Sequence, residues 1–298
     1  MSVKPLNNRK LRGSLLLMIT AMIWGLAFVA QSVAADLIGP MTFNGIRFLL
    51  ASLEVFLLEP FLSRFLKIEA AESSSGWMKT AVLAGLVLIT ASWLQQAGIR
   101  YTTAGKAGFI TSFYVVLVPL AQLLFLHHKS AFNIWIAVGI ACIGLYLLSS
   151  PEKGAVQFGD FLELLCAVCF TVHILVIASA AGNPNPIRFC AVQYLTAGVV
   201  GIIFGLLFEP FSTVSLLKAA PSILYAGFLS AGLGYTLQAI GQRDADPAVA
   251  SVILSLESVF SALFGFWLLG ETMNGAELLG CVLMFAAVLL SQIDMKKE

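Results

Sequence analysis

The pentapeptide Leu57-Leu58-Glu59-Pro60-Phe61 recurs with a single change as Leu207-Phe208-Glu209-Pro210-Phe211. Each copy closes a long apolar stretch, and the two copies lie about half a chain length apart. A second pairing supports the resemblance of the two halves, because Gly13 and Gly159 each open an apolar stretch with an aromatic residue midway. We therefore interpret the chain as two copies of one unit, residues 1–150 and 151–298.

The composition around these repeats is that of a polytopic membrane protein. Of the 298 residues 59% are hydrophobic and only 11% are charged, and the mean hydropathy is +0.93. A soluble protein carries about 25% charged residues because polar side chains cover its surface, so a soluble enzyme is excluded. The net charge of +1 gives no sign of a nucleic-acid partner. The lipid bilayer is the expected partner of most of the surface.

Ten apolar stretches are long enough to cross a bilayer, which takes about 20 residues each. Five fall in each copy, so the fold class is an all-α membrane protein of ten transmembrane helices. Because five is an odd number, the second copy enters the membrane from the opposite side, and the repeats are inverted. Only Pro119 lies deep within a stretch, where it predicts a bend. The predicted spans, numbered 1 to 10, are 13–35, 41–62, 79–99, 104–126, 131–149, 159–181, 187–208, 219–241, 247–269 and 275–293.

The distribution of Lys and Arg predicts that both termini are cytoplasmic in a multi-pass protein of the plasma (inner) membrane. Twelve basic residues then lie inside: Lys4, Arg9, Lys10, Arg12, Arg64, Lys67, Lys79, Lys129, Arg188, Arg243, Lys296 and Lys297. Four lie outside: Arg100, Lys106, Lys153 and Lys218.

Three ionisable residues are predicted at bilayer depth, where each costs about 2.5–3.5 kcal/mol on insertion scales and so indicates a function. Arg47 and Glu54 are seven residues apart, which puts them on nearly one face of span 2. We expect water, another helix or the substrate to bridge them, and the alternative is an ion-pair network that fixes helix packing. Glu257 lies within span 9 beside a stripe of small residues. Burial disfavours a carboxylate, so Glu257 is a candidate for taking up and releasing a proton. The alternative is a permanently protonated carboxyl group bonded to a neighbour.

Aromatic and amide side chains from several spans complete a mixed cavity that suits a small amphipathic solute. Each alone is more often a packing residue than a ligand contact. The predicted substrate-binding residues are Arg47, Glu257, Trp24, Gln96, Tyr114, His173 and Gln238, and the predicted coupling residues are Glu257 and Glu54. No cofactor or metal site is predicted, since Cys166 and Cys169 have no second ligand pair at zinc spacing.

Two segments resemble the EamA-type transporters of the drug/metabolite transporter superfamily. One is Gln95-Gln96-Ala97-Gly98-Ile99-Arg100-Tyr101-Thr102-Thr103-Ala104, and the other is Leu256-Glu257-Ser258-Val259-Phe260. The resemblance implies a ten-helix carrier with a central cavity, peripheral spans 5 and 10, and export as the direction. Ser258 stands where relatives often carry proline, a departure that concerns local helix geometry.

Inverted repeats are typical of secondary transporters, whose halves rock around a site near the midplane. We therefore predict a carrier, by alternating access, of a small organic metabolite such as an amino acid or related amphipathic solute. Protons are the candidate coupling ion. The alternatives are an intramembrane enzyme, which would need a clustered acid/base or metal set, and a channel or accessory subunit, which would need a ring of like charges or carbonyls. A monomer and a homodimer are both compatible with the sequence.

Overall fold

A computed structural model describes residues 8–65, 76–102, 104–148, 157–182, 185–269 and 273–293, and all regular structure in these ranges is helical. The described residues form ten helical rods at the predicted spans. Unbroken rods are span 1 (Asn8–Ala35), span 2 (Pro40–Phe65), span 5 (Phe132–Leu148), span 6 (Phe158–Ser179), span 7 (Pro186–Phe208) and span 10 (Gly275–Ser291). Span 3 (Trp77–Gly98) ends in the 3-10 turn Ile99–Tyr101.

Three rods change character along their length. Span 4 consists of Ala104–Thr111 and Tyr114–Phe125, and span 9 of Pro247–Leu254 and Glu257–Leu269. Span 8 begins at Thr213–Leu224, widens into the π-helical segment Tyr225–Tyr235 and ends at Thr236–Gly241. Seven rods are long and apolar enough to cross a membrane, and spans 5 and 10 are shorter apolar helices. Span 2 is 26 residues long and carries Arg47 and Glu54.

The sequence predicts a bend in span 4 from Pro119, and span 4 is interrupted. Pro119 lies inside the helix Tyr114–Phe125, and the interruption comes earlier, at Ser112 and Phe113. A proline ring crowds the carbonyl group four residues before it, here that of Val115. The helix is interrupted just before that residue. There the N–H groups of Phe113 and Val115 donate to the carbonyl groups of Ile110 and Ser112, three residues back.

Each of the main contacts between the two halves has a counterpart in which the equivalent spans of the two halves are exchanged. Span 3 packs on spans 6 and 7, and span 8, its counterpart, packs on spans 1 and 2. Span 4 packs on span 6 while span 9 packs on span 1, and the like-numbered pairs 2–7 and 5–10 pack on each other. The beginning of span 1 lies beside the end of span 8 at Gly241, and the beginning of span 6 lies beside the end of span 3 at Gly98.

Glycines allow spans 2 and 7 to pack with their backbones in contact. A Cβ atom added at Gly201 would lie 2.6 Å from the Cα atom of Gly45, and one added at Gly198 would lie 2.8 Å from the backbone N of Leu49. Small residues at a helix interface permit such close approach in a membrane. The two spans therefore form one tightly packed pair along their length.

The repeated Glu-Pro motif joins the ends of these two spans. The Glu209 carboxylate, at the end of span 7, accepts hydrogen bonds from the N–H groups of Met41 (2.7 Å) and Thr42 (2.8 Å) at the beginning of span 2. Glu59, at the end of span 2, accepts from the Asn185 amide (2.8 Å) that caps span 7. Helix N-termini carry unsatisfied N–H groups and partial positive charge. Each copy therefore supplies the carboxylate that the other copy's helix start requires.

Candidate functional site

The two interrupted rods, spans 4 and 9, meet at the centre of the molecule. Tyr114 and Glu257 are the first residues of the second helix in each rod, and the Tyr114 hydroxyl donates to Glu257 Oε1 at 2.9 Å. The Ser112 and Ser258 hydroxyls lie 2.6 Å apart, and Ser258 also donates to the Gly108 carbonyl at 2.9 Å. Polar side chains therefore join the two rods at the point where each is interrupted.

Span 9 is interrupted without a proline. The Ser251 and Ser255 hydroxyls donate to the carbonyls of Ala248 and Val252, three residues back, each at 2.8 Å. Such back-bonding competes with the regular helix hydrogen bonds. Three-residue backbone bonds follow, from Leu256 to Ile253 and from Ser258 to Ser255. The small-residue stripe singled out in the sequence thus marks an interruption that presents Glu257 as the start of a new helix.

Arg47 lies about two turns after the beginning of span 2, with 1% of its surface exposed. Its Nη1 donates to Gln31 Oε1 at 3.3 Å, and its guanidinium carbon lies 4.7 Å from the centroid of the Phe48 ring and 5.6 Å from that of Phe43. Within the described ranges no carboxylate lies within 4 Å of it, and its Nε has no partner. A buried guanidinium with five donors therefore retains capacity to bind an anion.

Arg47 and Glu257 line one cavity, together with side chains from spans 1, 3, 4, 6 and 8. The lining residues are Trp24, Ala27, Phe28, Gln31, Arg47, Gln95, Tyr114, Phe170, Ile174, Ser230, Tyr235, Gln238 and Glu257. Only about 20 Å³ of the cavity admits the centre of a water molecule. The cavity is thus a set of narrow clefts that must widen before an organic solute fits.

Five of the seven residues predicted to bind substrate line this cavity: Arg47, Glu257, Trp24, Tyr114 and Gln238. The other two, Gln96 and His173, lie behind the lining. Gln96 donates to the Gln31 carbonyl at 3.0 Å. The His173 ring packs edge-on against Tyr235 and hydrogen-bonds Gln193 at 3.2 Å. Both residues therefore contact residues that line the cavity rather than the free space.

Glu54 is not among the residues that line the cavity. Its carboxyl group lies against Gly232 in the π-helical segment of span 8, and its buried Oε2 has no partner among the described residues. Although Arg47 and Glu54 share a helix and nearly a face, Arg47 points into the cavity and Glu54 towards span 8. The two therefore do not form a pair.

A further buried acid, Glu163 on span 6, escaped the sequence analysis. Its exposed fraction is 0%, Thr111 donates to its Oε2 at 2.8 Å, and its Oε1 has no partner in the described part of the chain. Glu163 lies within two turns of the beginning of span 6, where hydropathy alone places the water boundary. The available signal was the spacing of three residues from Asp160, which puts both acids on one face.

Among the described residues no three His, Cys, Asp or Glu side chains come close enough to hold a metal ion. The side chains around the cavity instead offer one cation, one carboxyl group, hydroxyl and amide groups, and aromatic rings. This arrangement can bind a small solute that carries both charge and apolar surface. It lacks a nucleophile paired with a base, the arrangement that an enzyme of acyl or phosphoryl transfer would need.

The chain is similar to several proteins that are named as transporters or exporters. The family model described as the EamA-like transporter family matches the chain twice, at residues 11–150 and 157–292. An uncharacterized transporter of Archaeoglobus fulgidus is 32% identical over 289 residues, covering 95% of this chain and 86% of that protein. The threonine/homoserine exporter RhtA of Salmonella typhimurium is 25% identical over 187 residues, 60% of this chain and 61% of that protein. A protein of known crystal structure matches with a TM-score of 0.75 at 16% identity, covering 93% of this chain and 95% of its own.

Proposed function

The chain belongs to the EamA-like transporter family, and from this premise we propose that it exports a small carboxylate-bearing metabolite, such as an amino acid, through the central cavity. Family membership makes it a multi-pass membrane transporter and not an enzyme. The observation that carries the finer proposal is the presence of Arg47 and Glu257 in one buried cavity between the two halves.

Arg47 supports a carboxylate as one feature of the substrate. A guanidinium binds a carboxylate with two parallel hydrogen bonds, and the buried Arg47 has no carboxylate partner in the described ranges. The Trp24 and Tyr235 rings, 4.6 Å apart between centroids, offer apolar surface beside it. The printed name of RhtA makes threonine and homoserine the natural first probes.

Alternating access is the proposed mechanism, with inverted repeats of residues 1–150 and 151–298. Its support is the exchanged set of contacts between the halves, with the beginning of span 1 beside the ends of spans 8 and 10. The interruptions of spans 4 and 9 allow the helix halves around the cavity to move separately. The Lys/Arg asymmetry supports cytoplasmic termini in the plasma (inner) membrane.

Proton coupling at Glu257 is the second part of the mechanism. The carboxyl group bonds Tyr114 across the junction of spans 4 and 9, so a change in its charge acts on both interrupted rods. Glu54 is a second candidate, because its carboxyl group contacts the π-helical segment of span 8. Release of a proton to one side and capture from the other would couple a proton gradient to solute export.

Counterflow tests the carrier. Proteoliposomes loaded with unlabelled threonine or homoserine should transiently accumulate the labelled amino acid above its equilibrium level, which a pore or an enzyme cannot achieve. A thermal-shift screen against other carboxylate metabolites covers the remaining candidates, since a ligand that binds the folded state raises its stability. Absence of counterflow for every solute that stabilises the protein would contradict alternating access.

The Glu257→Gln variant separates coupling from binding. Gln keeps an oxygen that can accept from the Tyr114 hydroxyl but exchanges no proton, so counterflow should persist while proton-driven transport is lost. Gln96→Glu, added to Glu257→Gln, is the control for charge alone. It places an acid behind the cavity and should not restore proton-driven transport. Proton-driven transport equal to that of the wild type in Glu257→Gln would contradict the assignment of the coupling group.

A further inference from the structure

We propose that Glu163 is a proton-binding group through which Glu257 exchanges protons with water at the Asp160 end of span 6. The proposal rests on the proton coupling proposed at Glu257 and adds the route by which the proton arrives. The juxtaposition that carries it is a pair of consecutive residues at the interruption of span 4. Thr111 donates to Glu163 Oε2 at 2.8 Å, and the Ser112 hydroxyl, which lies 2.6 Å from that of Ser258, is also 3.5 Å from Glu257 Oε1.

The outer part of the route begins at the surface. Asp160 lies one helical turn before Glu163, and it pairs with Lys106 at 2.6 Å and accepts from Thr102 at 3.1 Å. The Lys106 side chain is 36% exposed, so water reaches this pair. Residues three apart on a helix share a face, which places the Glu163 carboxyl group next inward from Asp160.

Glu163 has the features expected of a group that accepts and passes on a proton. It is fully buried, and its Oε1 has no partner among the described residues, so one oxygen remains available. A buried polar atom without a partner is destabilising, which favours a functional role for this carboxyl group. The backbone of Gly98 approaches the carboxyl group so closely that an added Cβ atom would lie 2.5 Å from Oε1.

The charged and titratable groups around Glu163 come from four elements. Asp160 and Cys166 lie on its own helix, Lys106 on span 4, Tyr101 at the end of span 3, and Glu257 on span 9. Glu163 interacts electrostatically with both Asp160 and Glu257. It is therefore the one described carboxyl group that lies between the surface acid and the cavity acid.

The transfer balances in two steps. A hydronium ion at the Asp160 end gives its proton to the Glu163 carboxylate and becomes water. Glu163 then donates that proton to the Thr111 hydroxyl, which turns away from Glu163 and gives up its own proton to the hydroxyl of the next residue, Ser112. The Ser112 hydroxyl turns from Ser258 to Glu257 and gives its proton to that carboxylate. Glu163 returns to a carboxylate, both hydroxyls are regenerated, and Glu257 is left neutral.

Time-resolved infrared spectroscopy after an acid jump tests the route without any substrate. The protein in nanodiscs is brought rapidly from alkaline to acidic pH, and the C=O stretch of protonated carboxyl groups is followed. The Glu257 component is identified by its loss in Glu257→Gln. In Glu163→Gln we expect this component to appear about 100-fold more slowly, the lower end of what a positioned acid–base group contributes. Asp36→Asn, which removes an exposed acid in the turn after span 1, should leave the rate unchanged.

Thr111→Val provides a second variant of similar shape that keeps both acids and removes the bridging hydroxyl. It should also slow the Glu257 component, and it decides the question alone if Glu163→Gln does not fold. Wild-type rates in the variants that fold would overturn the relay while leaving coupling at Glu257 intact. Absence of a Glu257 component in the wild-type protein would overturn the coupling and the relay together.

Discussion

Replacing Arg47 by Met separates a binding role from a packing role, because the two make opposite predictions for stability. Met is unbranched and fills irregular space well. The substitution removes two cation–π contacts, worth about 0.5–2 kcal/mol each, but it also relieves the burial of a charge without a carboxylate partner, which costs several kcal/mol. The unfolding temperature of Arg47→Met should therefore equal or exceed that of the wild type.

Binding should respond in the opposite direction. Truncating one partner of a buried, hydrogen-bonded charge pair costs about 2–5 kcal/mol, and each 1.4 kcal/mol is tenfold in affinity. The affinity of Arg47→Met for a carboxylate solute should therefore be lower than that of the wild type by a factor between about 30 and a few thousand. Arg47→Lys keeps the charge but loses the paired geometry, so its affinity should be intermediate.

The assay is thermal unfolding with increasing threonine or homoserine, compared with 1-amino-2-propanol, which is threonine without its carboxyl group. The amino acid should stabilise the wild type and not Arg47→Met, and the amino alcohol should stabilise neither. Arg188→Met serves as the control, because Arg188 is exposed at the beginning of span 7. A strongly lowered unfolding temperature in Arg47→Met, with undiminished stabilisation by the amino acid, would refute the binding role.

Two further predictions concern the pairing of spans 2 and 7, and thermal unfolding measures both. Gly201→Ala should cost about 1–3 kcal/mol, since the new methyl group would overlap the backbone of Gly45. Gly139→Ala, with no atom within 4 Å of the added carbon, should be neutral or stabilising, so equal effects would contradict the packing argument. Glu209→Gln should cost about 1.5–3 kcal/mol, because Glu209 accepts two backbone N–H bonds at a helix start. Glu59→Gln should cost less than about 1 kcal/mol, since its Arg partner is exposed, and the reverse order would show that the caps are not as described.

Hydropathy predicted the ten spans because each crossing requires a long apolar stretch, a property of the local sequence. The rule that a charge at bilayer depth indicates function also directed attention to Arg47 and Glu257, which the structure brings into one cavity. Pro119 predicted a bend in span 4, but the interruption of span 9 was not predicted. It accompanies the Ser251 and Ser255 hydroxyls bonded to carbonyls three residues back, and the sequence does not show whether a serine in a helix bonds its own backbone or a neighbouring helix.

Glu163 and the Glu-Pro motif show why the remaining features could not be predicted. Glu163 lies near a helix end, where sequence alone cannot distinguish a solvated acid from one enclosed by Thr111 and the close backbone of Gly98. The motif at Glu209 was recognised as a repeat, but its partner is the beginning of span 2, far away in the sequence. Likewise, Gln96 faces span 1 rather than the free space. The rotation of a helix about its own axis depends on the helices packed against it, which the local sequence does not show.

Accessibility of Ala27 from the two sides of the membrane tests the central claim most directly. Ala27 lines the cavity and is 3% exposed, so Ala27→Cys in a chain without its five native cysteines reports on the cavity alone. We predict that a membrane-impermeant thiol reagent modifies this cysteine when applied to either side, one side at a time. Ala141→Cys, fully buried in span 5 outside the cavity, should remain unmodified. Reaction of Ala27→Cys from one side only, or from neither, would contradict a cavity that opens alternately to both.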